Sequence, residues 1–204
     1  MTYSDKQLKE NARVGMKNVD PADIRPPAIL LCQKLTDFSL MIDKDGKQAE
    51  IGQYFNTGKL EIYNSFECYI LYAGKSKYTD RRQPEKGEQD QYKVLGVMAD
   101  DFTLFGMTFK GSARYTLSGL FGTAAANQRP MYSYLIRMET KEISGEKGEW
   151  IVPVCRIVRP EADPEKLSLL EDQAKAFENR SEGAEQNEEY EDRDEGEPEE
   201  PENF

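Results

Sequence analysis

The sequence predicts a mainly β fold, a closed or partly closed barrel of five to seven strands with one internal helix and one C-terminal helix. Three observations favour this class: apolar and polar residues alternate in several short segments, helical spacing occurs in only two places, and no internal repeat is visible. Many short strands in one small domain favour a barrel, because closure hides the edges that an open sheet exposes.

The strands follow in order from about residue 24. Residues 28–42 hold apolar runs that end at a turn over residues 43–46. Between residues 60 and 70, alternation places Leu60, Ile62, Phe66, Cys68 and Ile70 on a core face, and Tyr63, Ser65, Glu67 and Tyr69 on a half-exposed face. Further strands are predicted in 93–99 and 102–110, and a hairpin joins 131–140 to 149–159. Residues 75–92 are polar and are predicted to form a long loop.

Helical spacing predicts helices over residues 113–126 and 164–179. The domain limits that follow are an N-terminal arm at 1–23, a barrel domain at 24–160, a C-terminal helix at 161–180 and a disordered acidic tail at 181–204.

The tail carries the net charge of the chain. Residues 181–204 hold 12 acidic residues and one arginine, so their net charge of −11 equals that of the whole protein. With little to bury, the segment is expected to stay solvated. Its end is a candidate partner-binding hook, in which a terminal aromatic ring and carboxylate could enter a basic pocket. This hook consists of Glu199, Glu200, Pro201, Glu202, Asn203 and Phe204.

Residue types and motifs that the sequence lacks exclude several classes of function. The chain has no histidine, which excludes nucleophiles activated by imidazole and histidine-ligated metals. Its three cysteines have no metal-site or redox spacing and are expected to be buried free thiols. We see no enzyme signature, cofactor motif, signal peptide or membrane span, and expect a soluble, intracellular protein. Acidic pairs such as Asp100-Asp101 are interpreted as turn residues.

A set of tyrosines and cations is typical of a surface for single-stranded nucleic acid, where rings stack on bases and cations follow phosphates. The alternative interpretation is that these are half-buried sheet tyrosines and solvated surface charges. The candidate residues are Tyr63, Tyr69, Tyr72, Lys75, Lys77, Tyr78, Arg81 and Arg82, together with Lys110, Arg114, Arg129, Tyr132, Tyr134 and Arg137.

Four segments of the sequence resemble those of single-stranded DNA-binding proteins of tailed bacteriophages and prophages. They are the segment from Arg25-Pro26-Pro27 to Leu35, the run 51–56, the phrase FGMTFKGSAR at 105–114, and the late pair of a Met-Tyr strand with a Gly-Glu-Trp-Ile-Val-Pro strand. The resemblance covers Ile24 to Arg159 and implies an oligonucleotide-binding (OB) fold. It also implies surface roles for Lys110, Arg114, Tyr132 and Trp150.

The tail is similar in design to those of bacterial single-stranded DNA-binding proteins, which recruit replication and repair partners. It departs from them in having Glu-Asn before the terminal Phe, where bacterial tails have an apolar residue and proline. The resemblance implies a phage protein acting in DNA replication or recombination in the cytoplasm of a bacterial host.

These observations predict a non-enzymatic protein that binds single-stranded DNA with little sequence preference, without cofactor or membrane, and with homo-oligomerisation left open. The tail is expected to compete with DNA for the basic surface at low salt and to recruit replication or recombination proteins. Two alternatives stay open. One is an acidic-tailed interaction protein, or DNA mimic, that binds a host nucleic-acid enzyme. The other is a metal-dependent nuclease.

Overall fold

The computed structural model describes residues 26–33, 38–79, 85, 87–145 and 148–191, and over these the fold is mainly β, with eight strands and two α-helices. The strands are β1 (Ile29–Leu31), β2 (Tyr54–Asn56), β3 (Glu61–Tyr63), β4 (Phe66–Thr79), β5 (Glu88–Met98), β6 (Leu104–Lys110), β7 (Tyr134–Gly145) and β8 (Gly148–Pro160). The helices are α1 (Arg114–Ala126) and α2 (Pro164–Glu191). The predicted range of five to seven strands is too low, because β1, β2 and β3 span only three residues each and show little alternation.

The strands form two open antiparallel sheets, one of five strands in the order β6-β5-β4-β7-β8 and one of three in the order β1-β2-β3. A parallel bridge between Ala28 and Gly106 attaches the small sheet to β6. On the other side, the Tyr54 hydroxyl donates to the Glu139 carbonyl at 2.7 Å. The small sheet therefore touches β6 and β7, but the strand pairing does not confirm the predicted closed barrel.

The first part of β4, from Phe66 to Leu71, is buried on both faces of the sheet. Phe66, Cys68 and Ile70 join the main core, as predicted. Tyr69, however, is only 1% exposed and belongs to a second cluster with Leu170 and Ala174 of α2. The predicted half-exposed face is therefore wrong at Tyr69, because the apolar side of α2 covers it.

The polar segment 75–92 is not the predicted long loop. Strand β4 continues to Thr79 and pairs with β5 in a regular register, from Lys75 opposite Tyr92 to Thr79 opposite Glu88. The outer part of this hairpin is polar on both faces, so its strands lack the apolar alternation from which sequence predicts them. Residues 80–84 and 86 lie outside the described residues.

The two predicted helices are present. Helix α1 matches its predicted range to within one residue. Helix α2 starts at Pro164, with the Asp163 carboxylate accepting the Glu165 N–H at 3.0 Å as a cap.

Helix α2 continues to Glu191, so residues 181–191 are helical, against the prediction that the disordered tail begins at 181. This stretch contains five glutamates and no proline, and such a composition tolerates helix. The arm at 1–23 and the segment 192–204 lie outside the described residues. Neither described helix is long and apolar enough to cross a membrane.

Candidate nucleic-acid interface

A cleft of about 950 Å³ lies where β1, β6 and β8 approach one another. Its walls include residues 28–31 of β1, 106–108 of β6 and 150–153 of β8, with Val94 and Leu95 of β5 between them. Two lysines, Lys93 and Lys110, line it together with two aromatic residues, Tyr78 and Trp150. None of the described residues that line the cleft is acidic, although the chain as a whole carries a net charge of −11.

Sheet register places the cleft cations on one face. Lys110 pairs with Gln91 and Lys93 pairs with Thr108, so the two lysines are diagonal neighbours on adjacent strands. The Lys110 ammonium lies 4.4 Å from the centroid of the Tyr78 ring, within cation–π range. Neither lysine forms an ion pair with another described residue.

Trp150 supplies the cleft with an aromatic surface on β8. The residue is 37% exposed, and it is the only tryptophan of the chain. A partly exposed indole in a groove with nearby cations is suited to stacking on a base. Three predicted site residues, Tyr78, Lys110 and Trp150, therefore come together in the cleft.

A second group of cations gathers around one carboxylate on the α1 side of the β4–β5 hairpin. The Asp90 carboxylate lies 3.0 Å from Lys75 Nζ, 3.2 Å from Lys77 Nζ and 3.5 Å from Arg114 Nη1. Hydrogen bonds from Lys75 and Lys77 lower the pKa of Asp90. We call these four residues the Asp90 cluster, in which three cations share one anion.

Tyr115 extends the Asp90 cluster. Its side chain is 64% exposed, and its hydroxyl accepts a hydrogen bond from Arg114 Nη2 at 3.2 Å. The guanidinium carbon of Arg114 lies 5.1 Å from the centroid of the Tyr115 ring. These contacts fix the direction of the Arg114 side chain.

Several predicted tyrosines serve the core instead. Tyr69 and Tyr134 are buried, which excludes them from the proposed stacking surface. Tyr132 is half-buried against the cluster beneath α2, and burial raises its pKa. Tyr63 is also half-buried, and its hydroxyl donates to Glu61 at 2.5 Å. For these four the alternative interpretation, sheet tyrosines that pack the fold, describes the environment better.

Three further predicted residues that the structure describes, Tyr72, Arg129 and Arg137, are not part of the cleft lining. Tyr72 is half-buried on β4, and Arg129 is exposed in the segment after α1. Arg137 forms an ion pair with Glu67, with 2.6 Å between Nη2 and the carboxylate. Arg81, Arg82 and the hook at 199–204 lie outside the described residues.

Sequence reasoning missed Lys93, Asp90 and Tyr115. Lys93 occupies a polar position next to the apolar run of β5, and a register between β5 and β6 would have placed it beside Lys110. Asp90 lies in the polar segment 75–92 that was predicted to form a loop, and the structure shows it contacting three cations at once. Tyr115 follows Arg114 directly in the sequence, which was an available signal.

The acidic pairs hold turns, as interpreted from the sequence. The Asp43 carboxylate accepts the N–H groups of Asp45 and Lys47 at 3.0 and 2.8 Å. Asp101 accepts the Thr103 N–H at 3.0 Å, and its hydrogen bond with Lys59 lowers its pKa to about 2. Within the described ranges, no three His, Cys, Asp or Glu side chains are grouped so as to hold a metal ion.

No protein-family model matches the chain, and no curated protein or solved structure matches it. The features that bear on function are the cleft and the Asp90 cluster. In the cleft, Lys110 of β6 lies over the Tyr78 ring of β4, and at the cluster Arg114 lies beside the Tyr115 ring, both at the start of α1.

Proposed function

We propose that this chain is a non-enzymatic protein that binds single-stranded DNA with little sequence preference, and that the cleft holds the strand. The observation that carries the proposal is the lining of the cleft: its described residues include Lys93, Lys110, Tyr78 and Trp150, and none of them is acidic. Residues 1–180 carry no net charge, so a groove whose described lining has cations and no carboxylate is a favourable place on this body for a polyanion.

Binding combines stacking and charge neutralisation. A base stacked on the exposed Trp150 ring contributes about 1 to 3 kcal/mol, whatever its identity. Lys93 and Lys110 neutralise neighbouring phosphates, and release of counterions makes the affinity dependent on salt. Tyr78 holds the Lys110 ammonium by the cation–π contact and offers a second ring.

We also propose that the two sheets together form a partly open, OB-fold-like barrel over residues 24–160. Two contacts support closure around the core. The Gly106 N–H donates to the Pro27 carbonyl at 2.8 Å beside β6, and the Thr140 hydroxyl donates to the Gly52 carbonyl at 3.0 Å beside β7. In this arrangement the cleft is the remaining opening of the barrel.

The acidic C-terminal segment completes the proposal. Its separation in sequence from a charge-balanced body supports two roles, competition with DNA for the cationic surfaces and recruitment of replication or recombination proteins through residues 199–204. The setting proposed from the resemblance is phage DNA metabolism in a bacterial cytoplasm.

Replacement of the cleft lysines tests the proposal. The double variant Lys93→Gln, Lys110→Gln should bind oligo-dT about 10-fold more weakly at about 100 mM salt, and the slope of log affinity against log salt should flatten by about 1.4. Fluorescence titration at several salt concentrations measures both quantities. The matched control is Lys166→Gln, Lys175→Gln on α2, which makes the same change in charge outside the cleft lining. An equal loss in both variants would show a general charge effect and contradict the role of the cleft.

The same titration separates the alternatives. A wild-type chain that does not bind oligo-dT at low salt, but is captured by a basic nucleic-acid enzyme, would favour the interaction protein or DNA mimic. Shortening of the oligonucleotide on addition of magnesium or manganese would favour the nuclease.

A further inference from the structure

We propose that the Asp90 cluster is a second phosphate subsite for the same DNA strand, in which Asp90 is a built-in competitor that weakens binding. This inference rests on the proposed function and extends it to the α1 side of the hairpin. The ligand group is one phosphodiester of the nucleic-acid backbone.

The charge of the cluster leaves room for an anion. Lys75, Lys77 and Arg114 bring three positive charges to one carboxylate, so two remain uncompensated within the cluster. The side chains of both lysines are more than half exposed, so a ligand can reach them from solvent. A polar cavity of about 210 Å³, lined in part by Ser118, adjoins Lys75, Asp90 and Arg114.

The cations are held by regular structure. Lys77 lies directly opposite Asp90 in the β4–β5 ladder, and Lys75 is two residues away on the same face. Arg114 is the first residue of α1, where the helix dipole adds positive potential, and Tyr115 fixes its guanidinium. A phosphate would therefore meet donors that need little reorganisation.

The cluster lies around the end of β6 from the cleft. In the strand register, Lys93 and Lys110 are on one face of the sheet, and Asp90 with its two lysines is on the opposite face. Lys110 ends β6 at the cleft, and Arg114 begins α1 at the cluster. Only the short 3₁₀ turn Gly111–Ala113 separates the two residues along the chain. A strand that leaves the cleft past Lys110 would pass around this turn, whose residues also line the cleft, to reach the Asp90 cluster on the opposite face of the sheet.

Removal of the Asp90 charge tests the subsite. Asp90→Asn keeps the shape of the side chain and should bind oligo-dT about 5-fold more tightly at about 50 mM salt, with a salt slope steeper by about 0.7. The matched control is Glu171→Gln on α2, which removes the same charge and also breaks an ion pair, that with Lys175. The control should leave the affinity unchanged, and thermal unfolding of all variants checks that the hairpin stays folded.

A double-mutant cycle assigns the gain to the cluster. In a Lys75→Gln, Lys77→Gln background, Asp90→Asn should tighten binding less than 2-fold, because two of the freed cations are gone. Three results would overturn the subsite. They are unchanged affinity in the Asp90→Asn variant, an equal gain in affinity from Asp90→Asn in the background without Lys75 and Lys77, and an equal gain in affinity from Glu171→Gln. If the cleft variants lose affinity while Asp90→Asn has no effect, only this inference fails. If the wild-type chain binds no oligo-dT, the proposed function fails with it.

Discussion

Glu161 shows how one side chain can organise a junction. It is a buried carboxylate that accepts the Tyr69 hydroxyl and the N–H groups of Ala162 and Asp163 at 2.9 and 3.0 Å. These hydrogen bonds, the one from Tyr69 foremost, lower the pKa of Glu161 to about 2. The residue thereby ties the buried face of β4 to the start of α2.

Glu161→Gln should reduce the free energy of unfolding at neutral pH by about 2 kcal/mol, because a buried charged acceptor is lost. The ordinary pKa of 4.5 lies above the folded value, so ionised Glu161 contributes stability that is full above about pH 5 and is lost as the pH falls toward 2. Urea unfolding at about pH 7 and about pH 3 measures this, and the variant should lose less stability than the wild type over that interval. Equal losses of stability by the wild type and the variant over this pH interval would contradict the lowered pKa of Glu161.

At the same scale, some of the residues that were predicted from the sequence to form the site lie in the cleft, and others do not. Lys110, Tyr78 and Trp150 were named and lie in the cleft. Tyr69 and Tyr134 were named and are buried. From sequence alone, a strand tyrosine in the core cannot be distinguished from one at the surface, because its ring suits a core and its hydroxyl suits solvent. Only the position of α2 over β4 distinguishes the two.

At the scale of elements, α2 covers one face of the first part of β4, which is thereby buried on both faces. Leu170 is fully buried in the cluster with Tyr69 and Leu135, whereas its neighbour Leu169 is 45% exposed. The helix therefore acts as a second layer over the sheet. Its apolar spacing was visible in the sequence, but the face that it covers was not.

Leu170→Ala should lower the free energy of unfolding by about 3 kcal/mol, because it leaves a cavity between α2 and the sheet. Leu169→Ala is the matched control and should cost less than about 0.5 kcal/mol at its exposed position. Urea denaturation followed by circular dichroism compares them. Similar losses in the two variants would mean that α2 does not pack as described.

The elements also mark the limits of prediction from sequence. The helix α1 was predicted almost to the residue because its apolar spacing is regular. The sequence predicted a loop for the outer part of the β4–β5 hairpin, because strands that project beyond the core carry no apolar alternation. The three-residue strands of the small sheet are set by their partners rather than by their own sequence.

For the whole molecule, charge separation is the feature with most consequences. Residues 1–180 are balanced between acids and bases, and residues 181–204 hold the excess of negative charge. Within the described body, cations gather at the cleft and at the Asp90 cluster. In the proposed function, a tethered polyanion that reached these surfaces would compete with DNA, and salt would screen that competition over about 10 Å at about 0.1 M.

Deletion of residues 181–204 should therefore tighten oligo-dT binding several-fold at low ionic strength, and the gain should vanish at about 1 M salt. A full-length variant with the 12 acidic residues of this segment changed to Gln separates charge from chain length and should behave like the deletion. Fluorescence titrations of the three proteins measure the effect. Unchanged or weaker affinity in both variants would reject competition by the tail.

The central claim is that the cleft between β1, β6 and β8 binds single-stranded DNA, and Trp150 in its wall is the only tryptophan of the chain. The most direct measurement follows the emission of Trp150 while oligo-dT is added to the wild-type protein. We expect saturable quenching that weakens steadily as salt is raised. Emission that stays constant at low salt through an excess of oligo-dT would contradict the claim.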